Sequence, residues 1–313
     1  MDVFHRSPFT RKVAGGSIVS IGNFDGMHLG HQALLAELIA RAHTEGLASS
    51  VVLFEPQPCE YFQKIAAPGR LMRLHEKLTY LQNLGIDQVL CLSFDASLAT
   101  LTAQRFVEDI LMDQLQLQHL LVGDDFRFGA GRLGDFTLLQ AYAEQGAFQL
   151  NALASYYVAN QRVSSSAIRA ALNAGEVVLA ETLLGKPFSM TEKVIAGKQR
   201  GRMIDFPTLN MALHRRVVPL KGVFAVKVKG VPGEKELFGV ANLGVRPTVD
   251  GQQWLLETYV FAFSGDLYGQ RLTIEFHHKL RDEIKFASFD ALKAQIAQDC
   301  VAAQQFFGLR PSV

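Results

Sequence analysis

The sequence is short of cysteines, and the three that it has lie far apart. Cys59, Cys91 and Cys300 form no Cys-x-x-Cys pair, so neither a structural zinc site nor a disulfide framework is expected. Reduced and buried thiols are the remaining interpretation, and they are typical of a cytosolic protein. We therefore expect this chain to be cytoplasmic.

Long apolar runs and an excess of one charge are also missing. No run approaches the ~20 apolar residues of a membrane-spanning helix, and residues 1–16 contain no apolar core of signal-peptide length. The formal net charge is +1, from 31 basic and 30 acidic residues. Since neither sign dominates, we expect no nucleic acid and no membrane as a partner, while a homo-oligomer stays open.

The 313 residues are enough for about two domains, each with its own core. The first part alternates short apolar runs with helical patterns, which is typical of a parallel sheet with helices on its faces. Strands are predicted at 17–22, 49–56, 87–94 and 118–123. Helices are predicted at 31–46, 70–85, 102–116 and 164–185.

The pattern changes at Gly185, which predicts two domains, 1–185 and 186–313. Four apolar runs beyond this point have no helical patterns between them and lie at 222–230, 235–244, 254–263 and 270–280. That arrangement predicts an antiparallel sheet or a small barrel. Residues 288–308 close the chain as a helix, with Ser288 as its N-cap.

The segment GNFDGMHLGH lies between a predicted strand and a predicted helix. Gly22, Gly26 and Gly30 let backbone amides come close to a ligand, and a helix N-terminus offers free N–H groups with a partial positive charge. These features predict an anion site, where phosphate is the commonest large anion. His28 and His31 would donate hydrogen bonds to its oxygens.

Two other interpretations of this segment are a metal site and a capping turn. Zinc takes three or four protein ligands, and Asp25 is the further candidate nearby, so a metal site is disfavoured. An ordinary helix-capping turn with surface histidines is the second alternative.

The same segment resembles the signature of the nucleotidylyltransferase superfamily, whose His-x-Gly-His motif holds the phosphates of ATP. The resemblance implies that His28 and His31 are catalytic and stabilise the transition state at the α-phosphate, without a covalent enzyme intermediate. It also implies ATP and phosphate binding by the other motif positions, which are Gly22, Asn23, Phe24, Asp25, Gly26 and Gly30.

The segment VSSSAIRAAL resembles the Ser-Ser-Thr-x-Ile-Arg segment of the flavin-adenylylating members of that superfamily. Ser166 takes the place of the threonine. The resemblance implies that Ser164, Ser165 and Ser166 bind phosphate through hydroxyls and amides, and that Arg169 adds charge or a bidentate contact. The alternative is an ordinary serine N-cap followed by an exposed arginine.

Two loops of the first part resemble flavin-binding loops of the same members. FEPQP resembles their Phe-x-Pro-His-Pro loop, with Gln57 instead of histidine, and VGDDFRFG resembles their Gly-x-Asp-Phe-x-Phe-Gly loop. The flavin-binding residues that these loops imply are Phe54, Pro56, Pro58, Asp125, Phe126 and Phe128. A Gly-x-Gly-x-x-Gly spacing at 129–134 is not a dinucleotide fingerprint, because it does not follow the strand directly and lacks the acidic residue that binds ribose.

The stretch GKQRGRMIDFPTLNM begins the second part. It is not a Walker A loop, because the Gly-Lys-[Ser/Thr] ending is missing. Thr208 and Asn210 offer neutral oxygens suited to Mg²⁺ or to a phosphate-bound water. A proline turn before a strand is the alternative.

The runs GVFAVKV, GVANLGVRPTV and LETYVFAFSGDLYGQRLTIEFHHKL closely resemble the riboflavin kinase family. The resemblance implies a six-stranded antiparallel barrel with a C-terminal helix, Mg²⁺ held by Thr208 and Asn210, and Glu257 as catalytic base. It further implies ATP binding by Gly197 and Pro207 and flavin binding by Arg281. Without it, Glu257 reads as a solvent-facing strand residue. Asp205 replaces the glycine that usually precedes Phe-Pro-Thr.

Both patterns on one chain, in this order, resemble the prokaryotic bifunctional riboflavin kinase/FMN adenylyltransferase family, also called FAD synthetases. The implied fold class is an α/β Rossmann-like nucleotidylyltransferase domain plus an antiparallel six-stranded β-barrel kinase domain with a C-terminal helix. The implied activity uses ATP as co-substrate and Mg²⁺ as cofactor to convert riboflavin to FMN and then FMN to FAD and pyrophosphate.

Three alternatives stay open at this point. One module is idle and the enzyme is monofunctional, or the first module transfers a nucleotidyl group to another phosphorylated substrate. The third alternative is a non-catalytic module that binds flavin or nucleic acid.

Overall fold

The computed structural model describes residues 1–5, 15–196, 206–248 and 251–310, which fall into two compact units. The first unit comprises Met1–Pro68 and Met72–Ser164, and the second comprises Gly69–Leu71 and Ser165–Val313. The chain therefore divides structurally at Ser165, earlier than the change of sequence pattern at Gly185.

The first unit is a sheet with helices on its faces. Its six main strands are β1 (Asp2–His5), β2 (Ser17–Ile21), β3 (Ala48–Glu55), β4 (Gln88–Ser93), β5 (Leu117–Gly123) and β6 (Gln149–Leu153). Its helices are α1 (Leu29–Glu45), α2 (Pro58–Gln63), α3 (Leu74–Leu84), α4 (Ala96–Ala99), α5 (Ala103–Arg105), which continues as a π-helix (Phe106–Gln114), and α6 (Phe136–Glu144). A small hairpin, β7 (Tyr157–Val158) and β8 (Gln161–Arg162), ends the unit.

All six main strands run parallel, in the order β1-β4-β3-β2-β5-β6. Alternate side chains point to opposite faces of such a sheet. On β2, Ile18 packs towards α1 and α3, while Val19 packs towards the π-helix and α6. Because both faces are covered, the strands read as nearly continuous apolar runs, which is why the sequence reveals them.

The second unit contains a six-stranded antiparallel sheet and three helices. The strands are β9 (Phe188–Lys193), β10 (Thr208–Leu213), β11 (Gly222–Lys229), β12 (Leu237–Thr248), β13 (Gly251–Val260) and β14 (Arg271–Arg281). The helices are α7 (Ser165–Ala174), α8 (Val177–Leu184) and α9 (Phe289–Phe306).

This sheet has the strand order β10-β13-β12-β11-β14-β9. Its two edge strands meet at one bridge, where the Ile195 N–H donates to the Asn210 carbonyl over 2.8 Å. The sheet is therefore a nearly closed barrel. Its interior is filled by fully buried side chains such as Phe224, Leu256 and Phe276. The expected fold class of both parts of the chain is confirmed.

The predicted helix 164–185 is two helices. Gly175 separates α7 from α8 with a φ of +81°, which glycine adopts without steric cost. A Cβ at Gly175 would lie only 2.5 Å from Cδ of Lys279 in β14, so a side chain at this position would displace Lys279. Both helices bury apolar residues, including Ile168 and Leu183, and α8 packs against β9 and β14.

The cysteines form no disulfide within the described residues. Cys91 and Cys300 are buried, and Cys59 is partly buried. In the described ranges, no helix has the length and apolar character needed to cross a membrane.

One buried ion pair joins α9 to the barrel. The Arg281 guanidinium donates from Nε to Asp299 Oδ1 over 2.9 Å and from Nη2 to Asp299 Oδ2 over 2.7 Å. Gln295 Nε2 donates to the same carboxylate over 3.0 Å. Asp299 is only 4% exposed, so its charge depends on these partners. The predicted N-cap is present, since Ser288 Oγ accepts from the Ala291 N–H.

Asp299→Asn is expected to lower the free energy of unfolding of the second unit by about 2–3 kcal/mol, because it leaves the Arg281 charge without its buried partner. The measurement is urea unfolding followed by the fluorescence of Trp254, the single tryptophan, which lies on β13. Asp282→Asn is the matched control, since the pair of Asp282 with Lys279 is solvent-exposed and contributes little. Equal effects of the two variants would contradict the assignment.

Candidate functional site

The first candidate site lies where the strand order of the parallel sheet reverses. The chain runs outward from β2 to β3 and β4, then crosses to β5 and β6 on the other side of β2. Ligands of such sheets bind beyond the carboxyl ends of the strands at this reversal. The loop after β2 is the His-x-Gly-His segment, and the loop after β5 is the predicted flavin segment, so the fold places both at one edge.

The loop between β2 and α1 is held by hydrogen bonds from its surroundings. The Met72 N–H donates to Asp25 Oδ1 over 2.9 Å, and Lys77 Nζ donates to the Asn23 carbonyl over 2.7 Å. Gln32 Nε2 donates to the Met27 carbonyl over 2.8 Å. These bonds fix a backbone that bends sharply, as a pre-organised ligand loop must.

The positive φ values of this loop explain its glycine. Gly26 has a φ of +91°, between Phe24 at +46° and Met27 at +47°. Phe24 and Asp25 are both buried, at 1% and 2% exposure. Phe24 and Asp25, two of the residues predicted to bind ATP, therefore have buried side chains that support the loop. Gly22, Asn23 and Gly30 would act through the loop backbone.

The two histidines form one stacked pair at the start of α1. Their ring centroids are 3.5 Å apart with an interplanar angle of 16°. His28 is the N-cap of α1, and its Nδ1 accepts from the His31 backbone N–H over 3.3 Å. Because Nδ1 is an acceptor, neutral His28 carries its proton on Nε2. A Cβ at Gly30 would contact the His28 ring at 3.4 Å and Tyr156 Cβ at 3.3 Å.

Burial sets the protonation of the pair. It lowers the pKa of His28 from 6.5 to about 4, against weaker opposing effects of a backbone hydrogen bond and Asp25. It also lowers the pKa of His31 well below its usual value, helped by the nearby charges of His28 and Lys77. Both rings are therefore neutral at pH 7 and each has one N–H to donate.

One atom of the pair is left without a partner. His31 Nδ1 is buried and makes no hydrogen bond within the described part of the chain. A buried polar atom without a partner is costly, and one at a helix N-terminus is suited to an anion. This observation favours the phosphate interpretation over the ordinary capping turn.

Aromatic side chains lie beside the loop that follows β3. Phe54 has an edge-on contact with Phe94, with ring centroids 5.9 Å apart, and Phe62 of α2 contacts the same ring at 5.7 Å. Phe62 is 62% exposed and therefore available for stacking. No sequence motif indicated Phe62, since a single aromatic residue in a short helix forms none.

The proline loop itself is anchored by its middle residue. Pro56 is exposed and Pro58 begins α2. Gln57, between them, is 2% exposed, and its backbone N–H donates to Glu60 Oε2 over 2.9 Å. The Gln57 Nε2 atom is buried without a hydrogen-bond partner in the described ranges.

The loop after β5 separates its predicted flavin-binding residues by burial. Phe126 and Phe128 stack with ring centroids 5.4 Å apart. Phe128, however, is 6% exposed and belongs to the core between the sheet, the π-helix and α6. Phe126 is the more accessible ring of the two. Asp125 is exposed and forms an ion pair with Arg162 over 2.5 Å.

The serine segment begins α7 and belongs to the second unit. Ser165 is the first residue of α7, and Ser166 is exposed. Ser164 ends the first unit. Arg169 Nε donates to the Gly69 carbonyl over 2.7 Å, and both residues are part of the second unit. Arg169 is partly buried and hydrogen-bonded, so it is not the exposed arginine of the alternative interpretation.

The second candidate site is a row of polar residues on the barrel. In the register of β10 and β13, Asn210 lies directly opposite Glu257 and Thr208 opposite Tyr259. Opposed residues share a face of the sheet. Their neighbours Met211 and Leu256 are fully buried on the other face, so the polar row lies on the outer face of the barrel.

The residues of this row are suited to binding and proton transfer. Asn210 is 8% exposed, and its Nδ2 donates to the Thr208 carbonyl over 3.1 Å. The neutral Asn210 Oδ1 is left as an acceptor, which is the ligand type that Mg²⁺ takes. The Glu257 side chain is 26% exposed. Pro207 directly precedes β10.

Two further residues adjoin the row and were missed by the sequence analysis. Asn242 lies opposite Glu257 on the other side, in β12, and its Oδ1 is buried without a hydrogen-bond partner in the ranges described. Arg246 Nη2 donates to Glu257 Oε2 over 2.5 Å, and this bond raises the pKa of Arg246. Only the strand register relates these residues to Glu257, so the sequence carried no signal for them.

Two predicted residues of the second part fall elsewhere. Arg281 forms the buried pair with Asp299 and lies 5.8 Å from the Phe286 ring, which accounts for its guanidinium within the fold. Gly197 lies outside the described residues. Among the residues that are described, no cluster of three or more His, Cys, Asp or Glu side chains is arranged to hold a metal.

The neutral histidine pair predicts a pH dependence of stability. The folded chain resists protonation of His28 until about pH 4, whereas the unfolded chain takes up the proton near 6.5. Stability is therefore full above pH 6.5 and is lost as pH falls. Between pH 7.5 and 5.5, His28 alone removes about 1 kcal/mol from the free energy of unfolding.

His28→Asn tests this dependence, because asparagine keeps an N-cap acceptor and does not titrate. Urea unfolding followed by circular dichroism at the two pH values should show a smaller loss for the variant than for the parent protein. An identical loss in both proteins would contradict a neutral, buried His28.

Comparison with known proteins gives matches over both units. The family profile described as FAD synthetase matches residues 10–167, and the profile described as riboflavin kinase matches residues 184–307. A solved structure from Streptococcus pneumoniae, described as a macrolide-efflux protein, has a TM-score of 0.80 and 27% identity and covers 94% of this chain and 95% of its own.

Curated relatives match over nearly the whole length. The bifunctional riboflavin kinase/FMN adenylyltransferase of Escherichia coli K12 is 49% identical over 294 residues, which is 94% of each chain. The protein of the same description from Haemophilus influenzae is 48% identical over 95% of this chain and 96% of its own. By these matches and the two-unit fold, the chain belongs to the bifunctional riboflavin kinase/FMN adenylyltransferase family.

Proposed function

We propose that this chain makes FAD from riboflavin in two ATP-dependent steps. The barrel phosphorylates riboflavin to FMN, and the α/β unit transfers AMP from a second ATP to FMN, releasing pyrophosphate. The observation that carries the proposal is the presence of two separate sites of different chemistry. One is a stacked, neutral histidine pair at a helix N-terminus, and the other is a carboxylate opposite an asparagine on the outer face of a barrel.

The kinase step follows from the position of Glu257. Its carboxylate accepts the proton of the ribityl 5′-hydroxyl as that oxygen attacks the γ-phosphate of ATP, and ADP leaves. Glu257 is partly buried and lies opposite Asn210. The proposed proton acceptor and a proposed Mg²⁺ ligand are therefore neighbours on one face of the barrel. Pro207 and Gly197 are kept as proposed ATP-binding positions, and Arg281 as a proposed flavin-binding position.

Mg²⁺ is proposed as the cofactor of this step. Thr208 and Asn210 would hold it through neutral oxygens, which fits the acceptor left on Asn210 by its bond to the Thr208 carbonyl. When bound, the ion neutralises charge that develops on the transferred phosphoryl group. A small number of protein ligands is enough for Mg²⁺, because the ion keeps several waters and also binds substrate phosphates.

The adenylyl step follows from the histidine pair. A phosphate oxygen of FMN attacks the α-phosphate of ATP, and pyrophosphate leaves. His28 donates from Nε2, and the orphaned Nδ1 of His31 gains a partner as charge develops on the phosphate oxygens. The N-terminus of α1 adds its partial positive charge. Positioning and charge stabilisation therefore account for this step without a covalent intermediate.

The remaining ligand positions are proposed on the same basis. Ser164, Ser165, Ser166 and Arg169 are proposed for the phosphates of ATP. For the flavin ring, the accessible Phe126 is favoured over the buried Phe128, with Phe54, Pro56, Pro58 and Asp125 at the same sheet edge. The limits 1–185 and 186–313 are kept as the proposed division of the two activities, although the compact units of the fold divide at Ser165. A cytoplasmic location is also kept as a proposal.

Product analysis tests the whole proposal. The chain is incubated with riboflavin, ATP and Mg²⁺, and ADP, FMN, FAD and pyrophosphate are measured. Formation of both FMN and FAD is expected. FMN without FAD, or FAD only from supplied FMN, would indicate a monofunctional enzyme. A panel of other phosphorylated acceptors tests the second alternative, and no product at all would refute catalysis.

His31→Ala is expected to lower FAD formation from FMN by about 100-fold or more, because the transition state loses a donor in a water-poor site. FMN formation from riboflavin should stay unchanged. His43→Ala, an exposed position on the same helix, is the matched control and should keep both rates. Loss of both activities in a folded His31→Ala protein would show that the two-site assignment is wrong.

Glu257→Ala is expected to have the reverse effect. Removing the general base should lower FMN formation by about 100-fold or more, while supplied FMN is still converted to FAD. Glu275→Ala is the control, because Glu275 lies on β14 of the same barrel and is paired with Lys229. An unchanged rate of riboflavin phosphorylation in Glu257→Ala would assign the proton transfer to another group.

A further inference from the structure

Asn242, Gly244 and Arg246 alternate along β12 and share one face of the barrel. Successive side chains of a strand point to opposite faces, so positions two and four apart return to the same one. In the register with β13, Asn242 lies opposite Glu257 and Arg246 opposite Gln253. The outer face that carries Glu257 therefore also carries the glycine and the arginine.

Arg246 reaches Glu257 along this face over an unusual offset. The two residues are not opposed, because Glu257 lies opposite Asn242, four positions away from Arg246. Even so, Arg246 Nη2 and Glu257 Oε2 are 2.5 Å apart. The arginine side chain must therefore extend back along the strand, past position 244.

Gly244 leaves room for a second carboxylate on this face. A Cβ at position 244 would lie 2.1 Å from Glu283 Oε1, so a side chain there would displace the Glu283 carboxylate. Besides the hydrogen bond to Glu257, the charge of Glu283 raises the pKa of Arg246. Within the described residues, the guanidinium forms its hydrogen bond with Glu257.

The pair is poorly explained as a stabilising ion pair. The Arg246 side chain is 54% exposed, and exposed pairs contribute little to folding. Its geometric effect is larger, because the bond to Oε2 restricts the orientations of the Glu257 carboxylate. This bond uses Oε2, which leaves Oε1 to accept from another donor.

We propose that Arg246 is a positioning residue for the kinase reaction, which holds the Glu257 carboxylate so that Oε1 faces the acceptor hydroxyl. The inference rests on the proposed function of the second unit. Arg246 acts through Glu257 and not on the substrate. Its loss should therefore lower kcat, because a base that samples several orientations is rarely aligned, while the KM values for riboflavin and ATP stay nearly constant.

The test measures riboflavin phosphorylation by the full chain, with Arg246 changed to methionine. Arg246→Met is expected to lower kcat by at least tenfold, with both KM values within threefold of the parent protein. Arg246→Lys keeps a cation that can reach the carboxylate and should restore kcat to at least fivefold above the methionine variant. If Arg246→Met has a lowered melting temperature, Arg246→Gln is measured against the same limits.

Two controls separate positioning from general damage. Lys229→Met removes the Lys229–Glu275 pair, which is similarly exposed and lies on the same barrel, and should leave kcat unchanged. Conversion of supplied FMN to FAD, measured on each variant, should also stay constant. In a Glu257→Asp background the carboxylate is already displaced, so Arg246→Met should cost less than threefold more.

Several results would overturn the inference. A kcat within twofold of the parent protein in Arg246→Met would exclude a positioning role. A KM that rises more than fivefold with kcat unchanged would make Arg246 a substrate-binding residue instead. A lysine variant as slow as the methionine variant would also refute it. If the parent protein forms no FMN from riboflavin and ATP, the proposed function itself fails, and that result is distinguishable from all of these.

Discussion

Asn210, Glu257 and Asn242 meet because β13 pairs with β10 on one side and with β12 on the other, in a fixed register. A shift of one residue would turn Glu257 into the barrel interior and bring Leu256 out. The buried side chains of the barrel therefore hold the polar row in place, since they oppose any slip. In the α/β unit, parallel pairing has the corresponding role, because it brings the carboxyl ends of β2, β3 and β5 to one edge.

The two candidate sites differ in their electrostatics: one contains neutral histidines and the other a carboxylate paired with an arginine. At the start of α1, burial keeps both histidines neutral, and the positive potential comes from the helix end and from Lys77, whose charge is buried below the loop. On the barrel, Glu257 stays partly exposed and is paired with a cation. The first arrangement is suited to receiving a highly charged anion, and the second places a carboxylate beside an arginine on an accessible face.

Sequence patterns predicted long buried elements well and isolated ones poorly. The strands β2 to β5 and the Ser288 cap are local signals of apolar runs and capping chemistry. The strands β1, β6 and β9 were missed because none forms a buried apolar run: β1 has four residues, β6 is only partly buried, and β9 alternates between buried and less buried residues. The strand β10 entered only through the alternative of a proline turn before a strand. Phe128 and Phe126 read alike in sequence, yet packing buries only one of them. Asn242 and Arg246 are brought to Glu257 by strand pairing, which the sequence does not reveal. The family resemblance supplied the residue roles that motif spacing alone left open.

The packing of α8 on the barrel, with α7 packed on α8, has a consequence for dividing the protein into pieces. Ile168, Leu172 and Leu183 are buried and belong to the second unit, although they precede the change of sequence pattern at Gly185. A fragment that starts at residue 186 would leave the apolar surface of β9 and β14 without its cover and would tend to aggregate. A fragment that starts at Ser165 retains that cover. The structural point of separation therefore lies at the serine segment, and a cut at residue 186 would remove α7 and α8 from the compact unit that contains the barrel.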